Sequence, residues 1–231
     1  ADMETTVMPL AEYVNGKIYS GIRTGYNEAF VINETKRAEL VAKEPKSAEI
    51  IKPLVVGKDV QKWRIQQNDR WLIFTRRGIN INQYPAIMEH LEHWREDLTS
   101  KQSASSVKSR KNKQYQWYEI QQELSYYQAF EKPKIIYPDI ARESCFAFDT
   151  KNYYPANTVS FIAKNDLFLI AILNSSIAWN YFKNSSSYLR GALRFSHNVL
   201  GKLPIPTATE PERKAIETLA GYILYLSEQL K

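Results

Sequence analysis

The order of the hydrophobic patterns constrains this chain most: short β-prone runs come first and long helical periodicities last. Trp71-Leu72-Ile73-Phe74-Thr75, Ile135-Ile136-Tyr137, Cys145-Phe146-Ala147-Phe148 and Thr158-Val159-Ser160-Phe161-Ile162 are compact strand signals, separated by turn-forming residues. Val14 to Ile32 also reads as strands with turns, and Asn15-Gly16 is a type I′ hairpin signal. Strands do not alternate with helices, so a parallel sheet with crossover helices is not expected. After residue 165 the pattern changes. Asp166 can cap a helix in which Leu167, Ile170, Leu173, Ile177 and Tyr181 line one face. Thr209-Glu210-Pro211-Glu212 then forms a capping box before Ile216, Leu219, Ile223, Leu226 and Leu230, a seam apolar enough to need a partner helix. The fold class expected is α+β: a curled, irregular β body followed by a C-terminal α-hairpin.

Within that frame, residues 1–13 read as a lead-in or linker, 14–165 as the β-rich body and 166–231 as the α-hairpin with its connecting segment. Asn33 to Lys43 reads as a short helix after an Asn33 cap. Tyr84 to Leu98 is an amphipathic helix with Ile87, Leu91, Trp94 and Leu98 on one face, and Tyr118 to Phe130 is also expected to be helical. Residues 99–114 are a low-complexity segment of Ser, Lys, Gln, Arg and Asn, expected to form a mobile basic loop.

Composition removes several function classes. The lone cysteine, Cys145, has no partner for a disulfide, which fits a reducing cytoplasm. The longest apolar run, Leu167 to Leu173, is far short of a membrane span, and the first residues carry no export signal. An amino-methyltransferase needs a Gly-rich turn for its cofactor and an Asn/Asp-Pro-Pro-Tyr/Phe loop for the target amine; the chain has neither a Gly-x-Gly nor a Pro-Pro. Pro138-Asp139 lacks the acid-x-Lys that a PD-type nuclease needs, so Asp139 reads as a turn or ladder-end residue. His90 and His93 have a metal-compatible spacing, with no cysteine cluster to join them. No catalytic residue and no metal site are assigned.

Basic and polar groups remain. The formal charge is +6, and its distribution says more than its sum: Leu98 to Tyr118 has no acid but holds Lys101, Lys108, Arg110, Lys111 and Lys113. Such a field attracts phosphate, although a solvated basic loop has the same composition. Gly21-Ile22-Arg23-Thr24-Gly25-Tyr26-Asn27 allows tight turns around residues that suit base edges: Arg can bond guanine and Asn adenine in bidentate fashion. Equally, Tyr26 can be a core residue and Asn27 can cap a turn. Lys58, Lys62 and Arg64 surround Trp63, and Arg76-Arg77-Gly78 follows a strand, a rigid place from which to present a guanidinium. Arg190 and Arg194, on either side of Gly191, are phosphate candidates between the two C-terminal helices.

Gly21 to Phe30, Ile50-Ile51-Lys52-Pro53-Leu54-Val55-Val56-Gly57-Lys58-Asp59-Val60, Lys132-Pro133-Lys134-Ile135-Ile136-Tyr137-Pro138-Asp139-Ile140 and Leu200-Gly201-Lys202-Leu203-Pro204-Ile205-Pro206 occur in one order. Trp117-Tyr118-Glu119-Ile120 and Tyr153-Tyr154-Pro155-Ala156-Asn157-Thr158 fall between them. This collinear set resembles the TaqI-like C-terminal specificity domain of restriction–modification DNA methyltransferases, over roughly residues 14 to 207. Its end is also similar to recognition domains of type I specificity subunits, but Thr207-Ala208-Thr209 stands where those continue with prolines.

The resemblance implies a target-recognition module that reads a short sequence in double-stranded DNA, with no catalysis in this fragment. It implies an upstream methyltransferase domain or subunit that carries S-adenosylmethionine and methylates adenine N6, with an endonuclease fused in some members. Ile216, Leu219, Ile223 and Leu226 are the partner-helix seam of the expected α-hairpin. The alternative is a protein-interaction scaffold of the same complex, touching DNA without specificity.

Overall fold

The structure is a computed structural model that describes residues 6–66, 68–100, 115–189 and 191–229. The chain forms two compact units, crossing between them several times. The terminal unit comprises Ala1–Gly21, Val55–Gln67 and Gln128–Lys231; the internal unit comprises Ile22–Leu54 and Asn68–Tyr127. The class is mixed α and β, as expected, but this division does not follow the anticipated boundary at residue 166. The helices beyond that point bury their apolar faces against the strands before it: Phe168, Leu169, Leu173 and Phe182 share one core with Ile135, Tyr137, Phe146 and Ile162.

The terminal unit is built on a four-stranded antiparallel sheet in the order Ala147–Asp149, Lys134–Pro138, Val159–Ile162, Ile18–Ser20. Lys134–Pro138 and Val159–Ile162 are its central strands, and every residue of both is buried. A second sheet orders Tyr188–Leu189, Ala192–Arg194 and Ile140–Ala141. Val7–Pro9 pairs with Pro204–Pro206, and Leu10 is fully buried with its N–H donated to the Leu203 carbonyl at 2.8 Å. Residues 7–13 are therefore part of the fold, where a lead-in was expected. No local pattern marks this strand, because its partner lies about two hundred residues away.

Asn15-Gly16 has the positive φ values of a I′ signal, 52° and 69°, but closes a helix instead of a hairpin. The Gly16 N–H returns to the Ala11 carbonyl at 2.7 Å and so ends the turn Leu10–Tyr13. Gly21 is needed for a different reason: a Cβ there would collide with the backbone oxygens of Ala156 and Val159.

The expected apolar helix after Asp166 is two helices, Leu167–Leu173 and Ser176–Ser185. The buried Asn174 side chain breaks it: its amide donates to the Phe146 carbonyl at 2.8 Å, and its oxygen accepts the Phe146 N–H at 3.1 Å. Ser175 then caps the next helix through the Ala178 N–H. The bend turns Ile177 outward to 82% exposure, so it does not share the buried face. Leu167–Leu173 packs on Glu210–Gln229. Asp166 fixes that contact by capping Leu169 and accepting from Arg213 at 3.0 Å and from Tyr13 at 2.7 Å. Half of the expected capping box forms: Glu212 accepts the Thr209 N–H at 2.9 Å, while the Thr209 hydroxyl donates to the same carboxylate at 2.8 Å.

The internal unit has the antiparallel strand order Ile51–Val55, Trp71–Ile73, Val31–Ile32. Helices Glu34–Lys43 and Pro85–Glu92 bury Leu40, Ile87 and Leu91. Asn33 caps the first by accepting the Lys36 N–H at 2.9 Å. The expected helix Tyr118 to Phe130 is absent apart from the short 3-10 turn Tyr127–Glu131. The N–H groups of Ile120, Gln121 and Gln122 go to the carbonyls of Thr75, Thr24 and Arg23, which leaves none of them for an i−4 helical bond.

One buried charge pair anchors the terminal unit. Lys134 and Asp149 are both fully buried, Nζ to Oδ2 at 2.5 Å. Lys134 also donates to the Phe130 carbonyl at 2.6 Å, and Asp149 accepts the N–H groups of Lys151 and Tyr153. Burial pushes the Lys134 pKa below the usual lysine value, and the adjacent carboxylate opposes that shift. Removing one member leaves the other charge without its partner. Asp149→Ala should lower unfolding free energy by about 3–5 kcal/mol in urea titrations. Lys134→Met should cost less, because the carboxylate keeps its two backbone donors.

Candidate nucleic-acid interface

In the internal unit, residues 119–122 act as a spine for the two segments that carry the leading arginine candidates. The Ile120 N–H donates to the Thr75 carbonyl at 2.9 Å, at the end of the Trp71–Ile73 strand. The next two N–H groups donate to the carbonyls of Thr24 and Arg23, at 2.9 and 3.2 Å. Gln122 returns a side-chain bond, its Oε1 accepting the Arg23 N–H at 2.8 Å. Gly25 turns the chain at φ 91°, and a Cβ there would crowd Gln121 Cβ. Arg23, Arg76 and Arg77 are thus held on one frame by backbone hydrogen bonds.

Their environments differ. Arg23 is exposed. Arg76 is also exposed, with its guanidinium 5.0 Å from the Tyr127 ring centre. Arg77 is partly buried, lies 4.7 Å over the Tyr115 ring and donates to the Gln121 carbonyl at 2.7 Å. It fastens the frame. Glu119, only 5% exposed, accepts the Gly78 N–H at 2.7 Å and the Gln116 N–H at 2.9 Å. Sequence inspection missed Glu119, Gln121 and Gln122, although Glu119 is the first acid after the acid-free stretch.

Thr24 is buried, and its hydroxyl donates to Asn27 Oδ1 at 2.7 Å, so it shapes the turn and orients Asn27. Asn27 is exposed at the start of the short helix Asn27–Phe30. Tyr26 is half-buried with its ring edge-on to Trp94 at 5.7 Å. Lys58, Arg64 and Arg194 belong to the terminal unit. Lys58 and Arg194 are exposed, whereas Arg64 is half-buried and donates to Gln61 at 2.6 Å. Lys108, Arg110, Lys111, Lys113 and Arg190 lie outside the described residues.

The other chemical candidates have structural partners. His90 Nε2 lies 3.1 Å from the Ala29 carbonyl, and His93 Nδ1 lies 2.8 Å from the Glu89 carbonyl. Among the described residues no group of three or more His, Cys, Asp or Glu is placed to hold a metal. Asp139 accepts from Ser160 at 2.7 Å. Burial pushes the Cys145 thiol up to about 11, so it stays protonated at neutral pH. No helix among the described residues is long and apolar enough to cross a membrane.

Comparison with known proteins agrees with this picture. The fold is shared with the type IIL restriction–modification enzyme MmeI, solved in complex with DNA: TM-score 0.69 and 16% identity, over 99% of this chain and 30% of that one. The type IIG restriction endonuclease BpuSI superposes with a TM-score of 0.51 at 12% identity, over 93% of this chain and 26% of that one. In sequence, the chain is 26% identical to the type II methyltransferase M.PaeR7I of Pseudomonas aeruginosa, over 92% of this chain and 36% of that protein. It is 22% identical to the type II methyltransferase M.MjaIV of Methanocaldococcus jannaschii, over 90% of this chain and 71% of that protein. The model of the TaqI-like C-terminal specificity domain matches residues 52–205. The chain belongs to that family.

The bracing carboxylate and the exposed arginine separate in stability measurements. Glu119→Ala removes the acceptor of the Gly78 and Gln116 N–H groups, both in exposed residues, and should cost about 1–2 kcal/mol in urea denaturation. Arg76→Ala, at an exposed strand end, should stay within about 0.5 kcal/mol of the parent.

Proposed function

We propose that this chain is the DNA target-recognition module of a larger restriction–modification methyltransferase, with Arg23 and Arg76 as base- or phosphate-contacting groups. The observation that carries this reading is the family match together with two exposed guanidiniums on a backbone-braced frame. Asn27 and Arg194 are secondary candidates, together with Lys58, Arg64 and the basic residues 108–113. Arg77 and Thr24 serve by holding the frame.

The methylated atom in this proposal is adenine N6, and the chemistry sits on an upstream catalytic domain or subunit. The present residues do not suit S-adenosylmethionine, since no Gly-x-Gly turn and no Pro-Pro pair occurs in the sequence. Target recognition therefore needs only binding and orientation from this chain. Selection from a randomised duplex pool at low and moderate salt should enrich one short motif that survives the higher salt. Arg23→Ala and Arg76→Ala should each relax one position of that motif, at about 1–3 kcal/mol of discrimination. Retention that collapses with salt and enriches no motif would overturn base reading.

A second reading, of a protein-binding scaffold, is favoured by one specific surface. Ile216, Ala220 and Leu224 of the Glu210–Gln229 helix face the core. Leu219, Tyr222, Ile223, Tyr225 and Leu226 stay 39–65% exposed. The expected seam is thus divided: Ile216 is used internally, while Leu219, Ile223 and Leu226 remain for the upstream domain. Leu219→Glu with Ile223→Glu should abolish co-purification with that domain and leave the thermal midpoint unchanged. A pair of substitutions that leaves the association intact would count against this seam.

A further inference from the structure

The sheet Tyr188–Leu189, Ala192–Arg194, Ile140–Ala141 buries Leu193 and Ala141 on one face and Ala192 on the other, and leaves Tyr188, Leu189 and Ile140 exposed at its flanks. Directly opposed residues in antiparallel strands share a face. Leu193 opposes Ala141, and both belong to the core at 2% and 7% exposure. One residue along, Arg194 opposes Ile140, and Ala192 opposes Leu189, on the other face. There Ile140 and Leu189 are 44% and 46% exposed, beside an exposed Arg194. Tyr188, on the edge strand, is 63% exposed. Uncovered aliphatic groups next to an open strand edge are normally avoided unless something covers them.

The charge around each apolar surface separates their occupants. From Leu219 to Gln229 the outer helix stripe has no lysine or arginine and one acid, Glu228, which suits a protein partner. The sheet face has Arg194 within it and Arg142 two residues after Ile140, while Asp139, bonded to Ser160, and Glu143 fall on the alternate positions. Aliphatic groups framed by guanidiniums suit a polyanion with an apolar interior edge. Duplex DNA offers that: phosphates outside, and deoxyribose faces and thymine methyls within its grooves.

We propose that this sheet face lies in a DNA groove, with Ile140 and Leu189 against sugar and base edges and Arg142 and Arg194 on the flanking phosphates. The proposal rests on the DNA-recognition reading and adds to it a contact made by the terminal unit, independent of Arg23 and Arg76. Apolar side chains used in this way shape the groove or wedge a base step, and contribute affinity that salt does not screen.

That last property makes the test specific. Binding to a short random-sequence duplex, followed by fluorescence anisotropy across a salt series, gives an affinity and a salt slope for each variant of the full chain. Arg142→Ala and Arg194→Ala should each weaken binding and reduce the slope by about 1. The double variant Ile140→Ala/Leu189→Ala should bind about fivefold more weakly with the slope unchanged. All four side chains are exposed, so the thermal midpoints should match the parent. Parental affinity in the aliphatic variant would overturn the proposal while leaving DNA recognition through Arg23 and Arg76 in place. So would a change in sedimentation with unaltered DNA binding, which would make the face a contact between copies. A parent chain that binds no duplex at any salt would overturn both readings.

Discussion

Two charges without access to water hold the centre of the terminal unit. Lys134 opens a central strand of the sheet and Asp149 ends its neighbour, so their bond fixes where the two strands stop. A buried pair of this kind is tolerable only when its remaining bonding capacity is filled. Here the Phe130 carbonyl takes a second bond from the ammonium, and the turn at 149–153 gives two N–H groups to the carboxylate. Asn152 reaches φ 59° within that turn. The pair therefore specifies a strand register and a turn together, which an apolar substitute would not do. On the opposite face of the sheet the aromatic rings of Tyr137, Phe146, Phe182 and Phe195 pack at 4.9 to 6.3 Å and bring helix and strand side chains into one core.

The motifs that carry the family resemblance are mostly parts of this scaffold. Gly21 admits two carbonyls where a side chain would not fit. The Gly57 N–H donates to the Thr158 hydroxyl at 3.0 Å, which joins two of the motifs. Lys134 is half of the buried pair, and Pro204–Pro206 is the partner of the first strand. At these positions of this chain the fold itself calls for the residue type. Exposed residues at the ends of those elements, such as Arg23 and Arg76, are free of that requirement. A family frame is thus easier to detect in a sequence than the groups that give each member its specificity.

The same physical distinction decides which elements could be read in advance. Caps at Asn33 and Asp166 involve neighbours three residues apart and form as expected, and Glu212 reaches back to the Thr209 N–H over the same spacing. The β runs were legible because burial on both faces leaves a continuous apolar signature. Residues 118–130 have helical composition, yet the N–H groups of residues 120–122 are claimed by carbonyls at 75, 24 and 23. The first strand depends on Pro204–Pro206, and the break at 174 depends on the backbone of Phe146. In these three places a distant backbone group competes with a local propensity and wins. The site follows suit, since Arg23 and Arg76 were legible as residue types while the spine that joins their segments was not.

Arg76 and Arg77 show how adjacent identical residues can take different roles. The Arg77 guanidinium is committed to a ring face and a carbonyl, and it ties the strand end to the 119–122 spine. With that end fixed, Arg76 projects from a backbone that has little freedom left to lose on binding. A long cationic side chain on a loose loop would have to order both itself and its backbone when it met DNA. On the frame, only the side chain must be ordered, and its contact with the Tyr127 ring already restricts it. In the recognition role proposed for Arg76, the partly buried Arg77 would leave it less to order, so its contribution would depend on a residue that need never touch a base.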